Sequence, residues 1–480
     1  MGDLRYASAA GRWVLAATVL GSALASIDAT VVGIALPAIG REFRVGLGSL
    51  QWVVNAYTLT LAGLLLVAGA LGDRYGRRLV FQIGVIWFAA ASAACALAPG
   101  SGTLIAARAL QGIGAALLTP GSLAILQASF HPDDRGKAIG AWSGLGGVAA
   151  AIGPFLGGWL VAAVSWRLIF VINLPLAALV VAMAWRHVPE SRDTELGGRV
   201  DLLGGALVTG GLVGLTYGLI EGTERGWTAP PVLGALLAGV LVLAAFVWRE
   251  HRAASPLLPL GLFRSVRFSA TNAVTFIVYG ALGGALFLLP IQLQQVSGYT
   301  ALEAGVALLP VTIIMLLLSS RSGALAARIG PRPQMTVGPL VVGAGFALLT
   351  RIGTGGDYLT EVLPAVSVFG LGLAITVAPL TATVLAAVPA RHAGVASAVN
   401  NDVARAASLI AVAVLPALAG ITGDAYLHPE SFAAGFRTAS LIAAALCVAG
   451  GILSALTLRT APRHRIPSRH HCALDAPPLN

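Results

Sequence analysis

The chain has 480 residues, 57% of them hydrophobic and only 10% charged. A soluble body of this balance could not cover its surface with polar groups, so the string of soluble domains that length alone suggests is excluded. The net charge of +10 would suit nucleic acid in a soluble protein; here the cations fall in short loops between apolar runs, so no nucleic-acid partner is expected.

In chain order, Arg5 and Arg12 precede an apolar run from Trp13 to Leu36. Ala23-Leu24-Ala25 looks like a signal-peptidase site, but the run continues through Asp28 to a spanning length, so it reads as the first span. Further runs follow: Leu50 to Leu71, Leu79 to Ala98, Thr103 to Ala128, Ala138 to Leu160 and Leu168 to Ala184. Leu202 to Ile220 and Pro231 to Val247 come next. The last group is Ser269 to Gln292, Ala304 to Ser319, Met335 to Thr350, Val362 to Val388, Ser397 to Ala419 and Phe436 to Leu458. About fourteen spans are therefore expected, and an even number puts both termini on one side. Arg74, Arg77, Arg78, Arg135, Lys137, Arg186, Arg192, Arg199, Arg249, Arg252, Arg264 and Arg267 fall in alternate loops. That skew predicts both termini in the cytoplasm and a multi-pass protein of the cytoplasmic membrane.

A short basic turn occurs twice. Gly69-Ala70-Leu71-Gly72-Asp73-Arg74-Tyr75-Gly76-Arg77-Arg78 returns as Gly323-Ala324-Leu325-Ala326-Ala327-Arg328-Ile329-Gly330-Pro331-Arg332. Gln111-Gly112-Ile113-Gly114 with Pro120 is echoed by Phe369-Gly370-Leu371-Gly372 with Pro379, and Arg135-Gly136 by Arg391 and Gly394, at nearly the same offset. Two parallel repeats of six spans follow, with an even insert between them. The expected divisions are 1–12, an inner terminus; 13–187, the first bundle; 188–250, the inserted pair; 251–268, an inner linker; 269–459, the second bundle; and 460–480, a basic tail. The tail's His464, His470, His471 and Cys472 have nothing to fix their geometry, and Cys95 and Cys447 lie in apolar runs, so neither metal site nor disulfide framework is expected.

With these residues in view the chain resembles the major facilitator superfamily, in its fourteen-span drug:proton antiporter branch, over nearly its whole length. The loop motif stands at Gly69 to Arg78, the first-span motif at Asp28-Ala29-Thr30-Val31-Val32-Gly33-Ile34-Ala35-Leu36-Pro37, and the fourth-span motif at Arg108 to Ala116. The fifth-span antiporter motif reads Gly153-Pro154-Phe155-Leu156-Gly157-Gly158 with Gly140 upstream, and Trp166-Arg167-Leu168-Ile169-Phe170-Val171-Ile172-Asn173-Leu174-Pro175 is a further hallmark. The resemblance implies an all-α fold of two six-helix bundles plus two extra central helices, and proton-coupled efflux by alternating access. Two departures stand out: Ala149 replaces a usual glycine before Gly153, and Ala327 stands where the first loop has Asp73.

Asp28 carries a charge at membrane depth, where at least about 2.5 kcal/mol opposes it, so it needs a partner, water or a proton. It reads as a protonation switch, as a counter-charge for a cationic substrate, or as a structural acid. The resemblance gives Arg108 a part in proton transfer; the rival is a structural arginine snorkelling near the inner surface. Asp73 is expected to cap a neighbouring helix and pair with Arg77, latching the outward-open state, with Arg74 and Arg78 completing the loop and Gly76 allowing its turn. Gly153 and Pro154 bend the fifth span, and Gly157 and Gly158 admit a neighbouring backbone. Trp52, Asn55, Tyr57, Asn272, Tyr279, Asn400 and Asn401 are candidates for a central cavity or for interhelical contacts, while Asp402 and Arg405 read as a pair within one helix.

Neither a P-loop nor a nucleophile–base pair is present, so an enzyme is not expected and the energy source is a proton gradient rather than a bound cofactor. The reading is a monomeric proton-coupled exporter of amphiphilic small molecules, set among membrane lipids. The alternatives are a dedicated exporter of an endogenous metabolite, lipid or siderophore and, from another class, a non-transporting membrane sensor or scaffold.

Overall fold

A computed structural model of the chain describes residues 4–192, 200–253, 256–389 and 393–458. The tail with its arginines, histidines and Cys472 lies outside them, as do Arg199 and Arg391. Among the described residues there are only helices, turns and one isolated bridge between Leu4 and Phe130.

The first half is α1 (Ala9–Phe43), α2 (Leu47–Tyr75), α3 (Arg77–Ala96), α4 (Ser101–Ser129), α5 (Pro132–Ala163), and α6 (Leu168–Val171) continuing into α7 (Asn173–His187). Ser8 starts α1 by accepting the Gly11 N–H at 3.0 Å, and Arg44 ends it in the left-handed region at φ 54°. The insert is α8 (Leu202–Arg225) and α9 (Pro230–Arg252), with Asp201 capping α8 at the Gly204 N–H, 2.8 Å away. Arg249 reaches back to the same carboxylate at 2.8 Å. Burial alone would raise the Asp201 pKa, but the Arg249 and Gly204 hydrogen bonds outweigh it and hold the carboxyl below its ordinary value. The second half is α10 (Val266–Ile291), α11 (Ala301–Ala307), α12 (Leu309–Ile329), α13 (Pro331–Leu349), α14 (Leu363–Ala386), α15 (Ala393–Leu418) and α16 (Pro429–Thr457). Single π-helical turns at Gln292–Val296 and Tyr358–Val362 extend α10 and precede α14.

Thirteen of the described helical segments are long and apolar enough to cross a membrane. The sequence reading expected about fourteen. The missing one is α13, whose first turn reads Pro331-Arg332-Pro333-Gln334 and dilutes its apolar run. It nonetheless packs against α14 and α16 as α3 packs against α4 and α7.

The repeat seen in the sequence is a repeat of contacts. α1 packs on α5 as α10 packs on α15, and α2 packs on α4 as α12 packs on α14. Gly84 lets α3 approach α4, where an added Cβ would sit 2.8 Å from the Leu118 nitrogen. Gly338 does the same for α13 on α14, with the Thr376 nitrogen 3.1 Å away. Both loop copies turn on a glycine with positive φ, 120° at Gly76 and 85° at Gly330.

The halves meet at one end of the bundle and part at the other. Gln51 of α2 donates to the Val412 carbonyl of α15 at 2.7 Å, Asn55 to Leu409 at 3.3 Å, and Gln294 to Ile34 of α1 at 2.9 Å. α5 lies against α11 and α12. The insert covers the opposite seam: α8 packs on α2 and α15, with Leu59, Leu212 and Leu409 in one small cluster, and α9 packs outside α8.

Candidate functional site

Five elements converge on one buried polar cluster in the first half. Asp28 of α1 is 1% exposed, and its Oδ2 accepts from Arg108 Nη1 of α4 at 2.5 Å. Its Oδ1 accepts from Gln111 Nε2 at 2.8 Å and from Asn173 Nδ2, the first residue of α7, at 3.2 Å. Arg108 Nε donates to the Val53 carbonyl of α2 at 3.1 Å, and its Nη1 also reaches Gln111 Oε1 at 2.5 Å. Ser92 of α3 accepts from Gln111 at 2.8 Å and from Asn173 at 3.3 Å. The Tyr57 ring closes the cluster, 4.3 Å from the guanidinium carbon.

The local sequence explains the convergence. Arg108 and Gln111 are three residues apart on α4 and therefore share a face, which turns toward Asp28. An ion pair removed from water holds only when its remaining lone pairs and protons find partners, and each amide here supplies one. Two of the sequence expectations are thereby corrected. Arg108 is 1% exposed and lies seven residues into α4, at the end of the bundle away from the Asp73 loop, so it does not snorkel near the inner surface. Asp28 is matched by Arg108 and lies behind the cavity wall, which makes it no free counter-charge for a cation. The partners that sequence reasoning missed, Ser92, Gln111 and Asn173, are neutral. Their signal was the placement of Gln111 and Asn173 inside two of the quoted motifs.

Beside this cluster a cavity of about 900 Å³ opens between the halves. Its inner wall carries Ser22, Ser26, Tyr57, Trp142, Asn401 and Arg405, and its mouth carries Asp73, Arg74, Arg77 and Asp201. Trp142 Nε1 donates to Ser22 Oγ at 3.0 Å, fixing an indole at the wall. Of the seven cavity candidates, only Tyr57 and Asn401 line it. Trp52 meets Tyr217 of the insert, ring centres 6.4 Å apart, and Asn55 is held at the closed seam. Asn400 donates to Asn272 at 3.0 Å and to Thr275 at 2.8 Å, tying α15 to α10, while the Tyr279 carbonyl accepts from Ser408 at 3.1 Å. The reason is helical geometry: the cavity face of α15 runs through Ser397, Ala398, Asn401 and Arg405, and Asn400 is rotated about 100° from Asn401.

The loop at the mouth forms the expected pair, with Arg77 Nε and Nη2 each 2.8 Å from Asp73 Oδ1. The expected cap by Asp73 is not what the structure shows at α3: Glu190, from beyond α7, accepts the Arg78 and Leu79 N–H groups, each at 3.1 Å. Arg78 donates to the Val188 carbonyl at 3.2 Å. Arg74 lies with Asp73 on the wall of the mouth. At the second copy Ala327 offers no charge, and Arg332 instead donates to the Ala455 carbonyl at 2.8 Å.

The fifth-span motif divides by direction. A Cβ at Gly153 would lie 3.2 Å from Thr30 Cβ, and one at Gly157 would lie 2.8 Å from Val31 Cγ1, so both seat α5 on α1. A Cβ at Gly158 would point to the other half, 2.9 Å from Leu302 Cα, and one at Gly305 would lie 2.9 Å from the Pro154 carbonyl carbon. A Cβ added at Gly140 would meet nothing within 4 Å, so no close approach at this position requires a glycine here. Asp402 and Arg405 form no ion pair among the described residues; Asp402 Oδ1 and Arg405 Nε are buried without a hydrogen bond.

Residues 18–412 match the Major Facilitator Superfamily. The tetracenomycin C resistance and export protein of Streptomyces glaucescens is 36% identical over 423 residues, covering 87% of this chain and 78% of that one. Multidrug resistance protein Stp of Mycobacterium tuberculosis is 37% identical over 417 residues, 87% of this chain and 77% of Stp. The methylenomycin A resistance protein of Streptomyces coelicolor is 36% identical over 454 residues, 94% of this chain and 93% of that one. Among solved structures, the inward-facing, unoccupied bacterial homologue of the human lysosomal transporter Spinster superposes with a TM-score of 0.68 at 17% identity, covering 94% of this chain and 97% of that one. Two packed six-helix halves around a cavity, a matching family over most of the length and resistance proteins as relatives lead to one conclusion: the chain is a multi-pass membrane transporter that belongs to the Major Facilitator Superfamily.

Proposed function

We propose that the chain expels amphiphilic small molecules across the cytoplasmic membrane in exchange for protons, by rocking of its two halves around the cavity. The observation that carries this reading is the Asp28–Arg108–Gln111–Asn173–Ser92 cluster, buried one aromatic ring away from the cavity between the halves. A carboxylate in that position can trade its arginine for a proton when the packing around Tyr57 shifts, which links a protonation step to a change of access. Relatives named for resistance to tetracenomycin C and methylenomycin A, and one named for multidrug resistance, support efflux as the direction. The test is uptake into everted membrane vesicles under an imposed pH gradient, with a panel of amphiphilic drugs. Gradient-dependent uptake of any of them supports the proposal, and proton movement indifferent to every substrate opposes it.

A second reading, a dedicated exporter of one of the host's own products, is supported by relatives that are named for a single antibiotic. An extract of host metabolites set against the drug panel in the same vesicles separates the two. A non-transporting sensor or scaffold would show no substrate-dependent proton movement in these vesicles.

The arginine skew puts both termini and both loop copies in the cytoplasm, which makes the open end of the cavity the inner one. Cysteines at Ser8 and Ser468, in a background without native cysteines, are expected to resist an impermeant thiol reagent on intact cells. Labelling of both from outside would overturn the orientation.

The two loops are not equivalent. Asp73→Asn removes the partner of Arg77, whereas Ala327→Ser touches no charge. Asp73→Asn is expected to lower turnover several-fold with expression intact, and Ala327→Ser to stay near wild type. Equal losses in vesicle transport would show that the Asp73–Arg77 pair is not a gate element.

A further inference from the structure

The charges on the cavity wall are unevenly placed. Its carboxylates are Asp73 and Asp201, both at the mouth, and both are held by arginines at 2.8 Å, Arg77 and Arg249. Deep in the cavity the ionisable groups are Tyr57 and Arg405. Arg405 lies twelve residues into α15, about 18 Å along the helix from Ala393. That is near the middle of a hydrocarbon core about 30 Å thick. One turn further on, Asn55 of α2 binds the Leu409 carbonyl and the seam closes. Arg405 therefore stands at the blind end of the cavity.

Its guanidinium forms no ion pair among the described residues, although its charge acts on Asp402 three residues earlier in α15, and its Nε is buried without a hydrogen bond. Asp402 is on the same helix, off the cavity wall, and forms no ion pair with it. Asp28 is engaged by Arg108. A guanidinium at this depth stays charged, so its donors require an acceptor, and the space beside it is the cavity. The neighbouring wall offers Asn401 and the hydroxyls of Ser22 and Ser26, and an apolar body would lie against Leu61 and Leu65.

We propose that the blind end of the cavity takes an amphiphile bearing an acid group, a carboxylate or phenolate, whose anion is met by Arg405. This rests on the efflux reading but concerns binding alone. The experiment uses the purified full-length protein in detergent and three fluorescent probes of one shape: 2-anthroic acid, its methyl ester and 2-(aminomethyl)anthracene. Wild type is expected to bind the acid more tightly than the ester or the amine. Arg405→Gln is expected to weaken the acid about tenfold or more, the loss of a charge-assisted pair, and to leave the ester within about twofold. Arg405→Lys is expected to keep part of the preference. Equal binding of the three probes by wild type, or tighter binding of the amine, overturns the proposal. So does an Arg405→Gln protein that loses ester and acid alike. The ranking in wild type decides the matter even if Arg405→Gln fails to fold. No gradient is applied, so vesicles that show no export would sink the efflux reading while leaving this binding result intact.

Discussion

Asp28→Asn is expected to abolish gradient-driven accumulation and to lower thermal stability at once. The amide keeps the shape of the carboxylate and its contacts with Gln111 and Asn173, but it removes the only ion-pair partner of Arg108 among the described residues, and Arg108 is 1% exposed. Removing one partner of a buried ion pair typically costs about 3–5 kcal/mol, because the other charge stays behind uncompensated. A melting curve alone would then confuse a coupling role with a structural one. The double variant Asp28→Asn/Arg108→Gln separates them. It leaves no unpaired charge, so its melting temperature in detergent should return most of the way to wild type, while pH-driven uptake into everted vesicles stays lost. If Asp28→Asn accumulates substrate against its gradient at the wild-type rate, the coupling assignment fails and Asp73 or Asp402 becomes the next carboxylate to test. If the double variant melts as low as the single one, the pair is not what holds the cluster together.

On the proposed reading, coupling and stability would be joined in this cluster. Arg108 keeps its charge, so a proton-coupled step at this pair would have to act on Asp28. When Asp28 takes a proton, the arginine must turn to another acceptor. The Val53 carbonyl of α2 and the face of Tyr57, also on α2, are already within reach. Protonation would therefore redistribute contacts between α1, α4 and α2, and α2 is the helix that touches α15 of the other half. On the proposed reading the route from proton to access would run through α2.

Much of this fold was legible because the membrane imposes a coarse code. Apolar runs of spanning length, arginines in alternate loops and a duplicated glycine turn fix the number of helices, their order and the repeat. The run from Met335 to Thr350 marked α13 as well, although Pro331, Arg332 and Pro333 dilute its hydropathy, and packing against α14 and α16 keeps the helix in place. The site was less legible. Sequence marks Asp28 and Arg108 because charges in apolar runs are expensive, but it does not say that they find each other. That pairing depends on the rotation of α4 relative to α1. Neutral residues such as Asn400, Asn272 and Asn55 carry no such mark, so a cavity role and an interhelical role read alike. Only the helix faces decide, and they place Asn401 on the cavity and Asn400 against α10.

Gly158→Leu is expected to hold the closed end of the molecule apart. In the present state α5 meets α11 through Gly158, and an added Cβ would stand 2.5 Å from the Ala301 carbonyl oxygen and 2.9 Å from Leu302 Cα. These are backbone atoms and cannot rotate away. α11 itself is pinned by a capping box, Thr300 Oγ1 accepting from the Glu303 N–H at 3.2 Å and Glu303 Oε2 from the Thr300 N–H at 2.8 Å. Overpacking costs about 1–3 kcal/mol where a site is tightly filled. Here the cost falls on one conformation, because the contact joins the two halves and is relieved when they separate. Since each 1.4 kcal/mol is about tenfold in an equilibrium, the population should move decisively toward the state open at that end. Spin labels at Val164 and Leu359, both well exposed near the closed end, should show a longer distance distribution than in wild type, with transport lost and folding kept. Gly157→Ala provides the contrast. Its neighbour is Val31 within the same half, so it should lower the melting temperature without shifting the distances. An unchanged distribution in Gly158→Leu together with wild-type transport would show that the α5–α11 seam does not separate during the cycle.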